Sequence, residues 1–331
     1  MKERKISHKK KNILATIILA EVIVGGLAIH SYYQQKIGQR KILGATKVSK
    51  IDKTKIILDQ TGELKYYWTL EPNEQWEEQP EWLGYKVSHH VNNDGLRETK
   101  NYSIDKPDNT FRIITLGDSF TYGQHVNTDQ NWTEVLENKL NKIDCGYDKI
   151  EVINLGVGGF DVQYIVKRYQ EIGVKYDPDL ILWFENDTGF SRFLELMMPF
   201  VYECDNNKSI DNEKQKKEIF HYCWSQATKK VDNLYKKNDL NNIIYVNFDK
   251  FFQNAPEQKT IIFYYDDEWS SEKKEVINHL NSAHPQATFV GIIPTPIAEN
   301  TLADGHPSKS GHMVISNSVY TFLLENKLDC Q

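Results

Sequence analysis

No two of the four cysteines, Cys145, Cys204, Cys223 and Cys330, stand in a CxxC spacing, which argues against a zinc or thiol-redox motif. Internal repeats and low-complexity tracts are also missing, which excludes a repeat array. Positive charge is outnumbered outside the N-terminus. Residues 1–12 hold six Lys/Arg and one Glu. Removing these from totals of 40 basic and 46 acidic residues leaves 34 and 45, a net charge near −11. Such a surface repels phosphate backbones, so nucleic acid is not an expected partner.

The 331 residues, 40% hydrophobic and 12% aromatic, suffice for a substantial core in one large domain or two smaller ones. Behind the basic tail runs an apolar stretch from Ile13 to Ile29. Its seventeen residues make roughly 25 Å of helix, at the short end for a bilayer span. Tyr32 and Tyr33 follow where interfacial aromatics are favoured, and the basic flank keeps the N-terminus cytoplasmic. Leu27-Ala28-Ile29 is a poor cleavage site. The pattern therefore predicts an uncleaved single-pass anchor over 13–30, with the rest of the chain extracytoplasmic. Glu21, inside the run, is a polar residue to be tolerated, protonated or paired. In an oxidising compartment the four cysteines allow two disulfides, with three connectivities.

Residues 31–54 read as a polar stalk. A small β-rich segment is expected over 55–105, with strands at Lys55–Asp59 and Glu63–Leu70 around a Gln-Thr-Gly turn. Trp68, Trp76, Trp82 and Tyr85 cluster nearby, either to stack on sugar rings or to form the core of a small subdomain. From residue 106 to the end the pattern becomes strands alternating with helices, the signature of a parallel α/β sheet. Strands are expected at Phe111–Leu116, Ile150–Leu155, Leu180–Phe184, Ile243–Asn247, Thr260–Tyr265 and Thr288–Ile293. Helices are expected near Trp132–Leu140, Val162–Gly173 and Ser271–Asn281, and from Gly311 to Leu328. The stretch of about 189–241 reads as an irregular insertion over the C-terminal edge of the sheet, where substrate-binding elements accumulate.

Chemistry-bearing residues follow successive strands. Gly117-Asp118-Ser119 ends the first and offers a hydroxyl at the site face. Gly156-Val157-Gly158-Gly159 ends the second; its glycines either aim an amide at a developing oxyanion or serve as flexible turn residues. Asn186, after the third, either donates an amide N–H into the same crevice or caps the next helix. Asp304-Gly305-His306 precedes the last helix. There a carboxylate can hold the imidazole's tautomer while the imidazole takes a serine's proton; a metal-ligand pair or a plain turn is the alternative. His312, one turn into that helix, is expected to be structural.

At this point the chain resembles the SGNH/GDSL hydrolase superfamily. FRIITLGDSFTYG is similar to its first block, NLGVGG to the second, FEND to the third and DGHPSKSGH to the fifth. The lead-in NNDGLRETKNY looks like the stretch preceding the first block in many relatives. Two departures stand out: Phe184 occupies a position usually held by glycine and is expected to narrow the pocket, and the last block has Asp-x-His in place of the commoner Asp-x-x-His.

The resemblance implies a three-layer α/β/α, flavodoxin-like domain with a mainly parallel five-stranded sheet. It implies Ser119 as nucleophile, His306 and Asp304 as its activating pair, and Ser119, Gly159 and Asn186 as the oxyanion hole. No metal or organic cofactor is required. It also selects Cys145–Cys330 and Cys204–Cys223 as disulfides, because the helices preceding Cys145 and Cys330 would share one face. The expected function is an extracytoplasmic O-acyl ester hydrolase, foremost a deacetylase of an O-acylated cell-surface or exported glycan. The alternatives are an O-acetyltransferase beside a membrane acyl-carrier partner, and a non-catalytic glycan-binding or assembly protein on a retired hydrolase fold.

Overall fold

The computed structural model describes residues 64–186, 188–206, 213–255, 257–266 and 271–326. The tail, the 13–30 run with Glu21, the stalk and Lys55–Asp59 lie outside these, as does Cys330. Among the described residues no helix is long and apolar enough to cross a membrane.

In chain order the elements are β1 (Gln75–Glu78), β2 (Val87–His90), β3 (Thr110–Leu116), α1 (Ser119–Tyr122), α2 (Trp132–Leu140), β4 (Lys149–Asn154), α3 (Val162–Glu171) and β5 (Leu180–Phe184). There follow α4 (Leu194–Asn206), α5 (Glu213–Leu234), α6 (Lys237–Asn254), β6 (Lys259–Tyr265), α7 (Ser271–Ala283), β7 (Ala287–Ile293) and α8 (Lys309–Glu325). Strands β3 to β7 form one sheet in the order β4-β3-β5-β6-β7, parallel throughout. The chain thus starts in the interior and winds outward in both directions, the order of doubly wound folds with a crevice where the winding reverses.

β3 and β5 are buried at every position, as expected of parallel strands covered on both faces. Alternation divides their side chains. Ile114, Leu116, Ile181 and Trp183 join a core with α3 and α6. Phe111, Ile113, Leu180, Leu182 and Phe184 join a second with α2 and α8. The result is the expected three-layer α/β/α arrangement. Phe184, expected to narrow the pocket, is buried in this second core, where it stacks on Phe263 at 5.0 Å and meets Phe120 edge-on.

Three expectations are corrected. Ile243–Asn247 is not a strand but lies inside α6. Leu240, Ile243, Ile244, Asn247, Phe248, Phe251 and Phe252 are its buried positions, a helical spacing that outweighs the β-branched run. The stretch from 189 to 241 is largely helical rather than irregular. Cys204 and Cys223 are disulfide-bonded there and tie α4 to α5. Glu63–Leu70 is not a strand over its described residues, 64–70; the two-stranded antiparallel sheet is formed further on, by β1 and β2. Cys145 is buried, and its expected pairing with Cys330 falls outside the described residues.

The helical excursion begins beside the C-terminal edge of the sheet. Leu194 N donates to Asp161 Oδ2 at 2.7 Å, and Asp161 also caps α3. Glu195 accepts from Lys65 N at 2.8 Å and from the Tyr164 hydroxyl.

Candidate active site

Sterics dictate the turn after β3. Gly117 has φ +152°, and a Cβ there would lie 2.2 Å from Thr121 Oγ1 and 3.0 Å from Phe184 O. Asp118 caps the one-turn α1 by accepting from Phe120 N at 3.0 Å. Gly123, at φ +84°, ends it. Ser119 is thereby held as the first residue of a rigid turn at the mouth of the crevice.

The loop before α8 brings the other two residues. A bridge between Thr301 and Pro307 and a Leu302 N to His306 O bond at 2.7 Å close it. At its tip Gly305 takes φ +91°. His306 Nε2 stands 2.9 Å from Ser119 Oγ, and His306 Nδ1 stands 2.8 Å from Asp304 Oδ2. With Nδ1–H donating to the carboxylate, Nε2 is the acceptor that faces the serine hydroxyl. The Asp-x-His spacing works because Asp304 holds its histidine twice: Oδ1 accepts from His306 N at 3.2 Å while Oδ2 takes the ring. Burial alone would raise the Asp304 carboxyl. Hydrogen bonds from His125 and His306 overcome it and hold the group well below the usual carboxylate range.

Gly158 lies against the serine, a Cβ there falling 3.9 Å from Ser119 Cβ, and Gly159 adopts φ +84°. Among the described residues the backbone N–H groups of Ser119 and Gly159 have no protein acceptor. Asn186 reaches the same corner through Asp118: its Nδ2 lies 3.0 and 3.2 Å from the two carboxylate oxygens. Thr188 Oγ1 donates to that carboxylate at 2.5 Å. Asn186 thus braces the residue before the serine, and a primary amide's second N–H is left over for another acceptor.

Several site residues escaped the sequence reading. His125, in the loop after α1, places Nε2 3.0 Å from Asp304 Oδ2 and Nδ1 2.8 Å from Glu78 Oε1 on β1. Burial alone would lower this histidine, but the hydrogen bonds to Asp304 and Glu78 and their charges raise it to about 9. His89 lies 3.1 Å from Glu78 and accepts from buried Arg97 at 3.0 Å. His125 is six residues from the serine, but no spacing rule marks it as a partner.

His125, Asp304 and His306 present ligand atoms within 4.8 Å of one another, a set able to take a cation. Their mutual distances of 2.8 and 3.0 Å are those of hydrogen bonds. His312 is fully buried between α2 and α8, where Nδ1 accepts from Trp132 N at 3.3 Å. Burial pushes it down to about 3, as a structural neutral imidazole requires.

The aromatic residues divide. Trp76 stacks on His89 at 4.6 Å within the small sheet. Trp68, Trp82 and Tyr85 are each 44% exposed. Trp82 meets His125 edge-on at 5.0 Å, and Trp68 meets Phe160, next to Gly159, at 5.7 Å. Each exposed tryptophan thus packs on a residue next to the candidate site, Trp82 on His125 and Trp68 on Phe160.

No protein-family profile and no curated protein sequence matches the chain. Among solved structures it overlaps a psychrotrophic esterase from Pseudoalteromonas, with 14% identity over 66% of this chain and 98% of the other and a TM-score of 0.42. An acetyl xylan esterase from Butyrivibrio proteoclasticus overlaps with 13% identity over 70% and 67% of the two chains, TM-score 0.42. A family two carbohydrate esterase from Clostridium thermocellum does so with 14% identity over 67% and 65%, TM-score 0.39. Overlap at this level carries no functional weight, and the chemistry is that of the side chains themselves.

Proposed function

We propose that this chain is a membrane-anchored, extracytoplasmic serine esterase that removes small O-acyl groups, acetyl foremost, from a glycan. The carrying observation is the unbroken path from Ser119 Oγ through His306 to Asp304, at 2.9 and 2.8 Å. Nucleophile, base and orienting carboxylate at hydrogen-bond distance are the minimum for acyl transfer.

The hydroxyl of Ser119 attacks the ester carbonyl while His306 Nε2 takes its proton. The carbonyl oxygen becomes an oxyanion facing the amides of Ser119 and Gly159 and the free N–H of Asn186. Collapse breaks the bond to the sugar oxygen, which leaves with the proton from His306. Water, deprotonated by the same nitrogen, then attacks the acyl-serine and releases the carboxylic acid and the serine.

The glycan is supported by the two exposed tryptophans beside the site, since indole faces are suited to sugar rings. An oxidising compartment is supported by the Cys204–Cys223 disulfide, and the membrane anchor by the apolar run behind the basic tail.

Fluorophosphonate labelling of the protein, with Ser119→Ala and His306→Ala beside it, tests the reading. Labelling abolished in the first and reduced on the order of 10⁴-fold in the second is expected. A folded wild-type protein that does not label would contradict it. Acetate released from an acetylated glycan in water marks hydrolysis; acetyl moved between glycans instead marks transfer.

A further inference from the structure

The catalytic chain does not end at Asp304. His125 bridges its Oδ2, at 3.0 Å, to Glu78 Oε1, at 2.8 Å. That Asp304 oxygen is the one that accepts from His306 Nδ1. Among the described residues, His125 is the only side chain besides His306 within hydrogen-bond distance of Asp304. Both ring nitrogens of His125 face carboxylates, so both bonds form only when both nitrogens carry protons.

The surroundings force this placement. His125 has a left-handed backbone, φ +63°, uncommon for a residue other than glycine although histidine adopts it more readily than most. Buried Arg97 clamps the loop, donating to the carbonyls of Tyr122 and Gly123, each at 2.7 Å, and to that of Val126. Trp82 covers one edge of the ring. The charged and titratable groups around His125 are Glu78 from β1, Tyr85 between β1 and β2, His89 from β2, Arg97 after β2, and Asp304 and His306 from the loop before α8.

We propose that His125, seated on Glu78, is a positioning residue for acyl transfer, an imidazolium that pins Asp304 at the same carboxylate oxygen that holds His306. The inference rests on the esterase reading of Ser119 and His306. It gives the short Asp-x-His turn the brace it otherwise lacks. Asp304 sits on a loop tip and, apart from His125, grips only His306, two residues on; the second imidazole fixes the carboxylate's rotation, and with it the ring facing the serine. It also makes the β1–β2 sheet part of the catalytic apparatus. The raised proton affinity of His125, to about 9, keeps the bridge charged at neutral pH.

The test is the rate of fluorophosphonate labelling of the full chain against pH, with thermal melting as the folding control. The proteins are wild type, His125→Ala, His125→Gln and Glu78→Gln. Loss of the bridging charge leaves Asp304 to His306 alone, which then holds its proton more tightly. His125→Ala is expected to label about ten- to a hundredfold more slowly, with the acid limb of its profile moved to higher pH. His125→Gln, which keeps one hydrogen bond, should be intermediate, and Glu78→Gln should show a smaller change in the same direction. Folded variants with the wild-type rate and profile would overturn the inference while leaving the esterase reading intact. If His125→Ala does not fold, Glu78→Gln and His125→Gln decide by the same two readouts. A folded wild type that does not label removes the esterase reading, and this inference with it.

Discussion

Thr121 Oγ1 occupies the space a side chain on Gly117 would need, 2.2 Å from where its Cβ would fall. Thr121 is itself fixed, donating to Leu116 O at 3.2 Å, so the last residue of β3, the turn and α1 form one locked unit carrying Ser119. Gly117→Ala is therefore expected to lower stability by about 2 kcal/mol or more, since it adds a clash inside a packed turn to a backbone conformation alanine disfavours. The fall in the thermal midpoint measures it. A variant as stable as wild type would show that the turn can relax around a methyl group.

Asn186 separates a bracing role from a chemical one. Its amide holds the Asp118 carboxylate at 3.0 and 3.2 Å, while the second N–H is assigned to the oxyanion. Asn186→Ala should then lower kcat about 10²- to 10³-fold with little change in KM, the usual cost of losing one oxyanion donor. A residue that only braced Asp118 would show its loss in melting temperature and leave turnover nearly intact. Steady-state kinetics on a small acetate ester, with a melting curve beside them, distinguishes the two.

How much of this was legible in the chain depends on how local each feature is. β3 and β5 read correctly because parallel central strands are continuous apolar runs. Ser119, His306 and Asp304 were readable because each closes a segment whose end faces the same rim. The Ile-Ile-Tyr-Val run of α6 misled because β-branched residues suit strands, and only the later Phe248 and Phe251 restore the helical period. Glu78 and His125 were invisible for a different reason. They are 47 residues apart in sequence, and Glu78 reaches Asp304 only through His125, across the contact between the small sheet and the loop after α1.

The bridged histidine makes stability depend on pH in the alkaline range. Its proton affinity in the folded chain is raised to about 9, against roughly 6.5 for a free imidazole. A group raised in this way stabilises fully below the unfolded value and loses its contribution as pH climbs through the folded one. Wild type should therefore lose on the order of 2–3 kcal/mol between about pH 6.5 and pH 9.5, and His125→Gln should lose much less. Asp304 and Glu78, held below the ordinary carboxylate range, work in the opposite direction. Their contributions are present above about pH 4 and disappear only in stronger acid. Denaturant midpoints across this range check both limbs, and parallel wild-type and His125→Gln curves would show that the bridge is not charged.

Trp82 offers the sharpest test of the glycan. It is 44% exposed yet touches His125 edge-on, so it borders the proposed site and could face a sugar ring there. Stacking a sugar ring on its face should contribute about 1 kcal/mol, the scale of aromatic contacts beyond area burial. Trp82→Ala is then expected to lower kcat/KM on an acetylated oligosaccharide about five- to tenfold, while the rate on a small acetate ester with no sugar stays near wild type. Equal losses on both substrates would assign Trp82 to support of His125 rather than to recognition. No loss on either would leave the exposed indole without a part in the site, and the case for a sugar at this rim would then have to rest on Trp68.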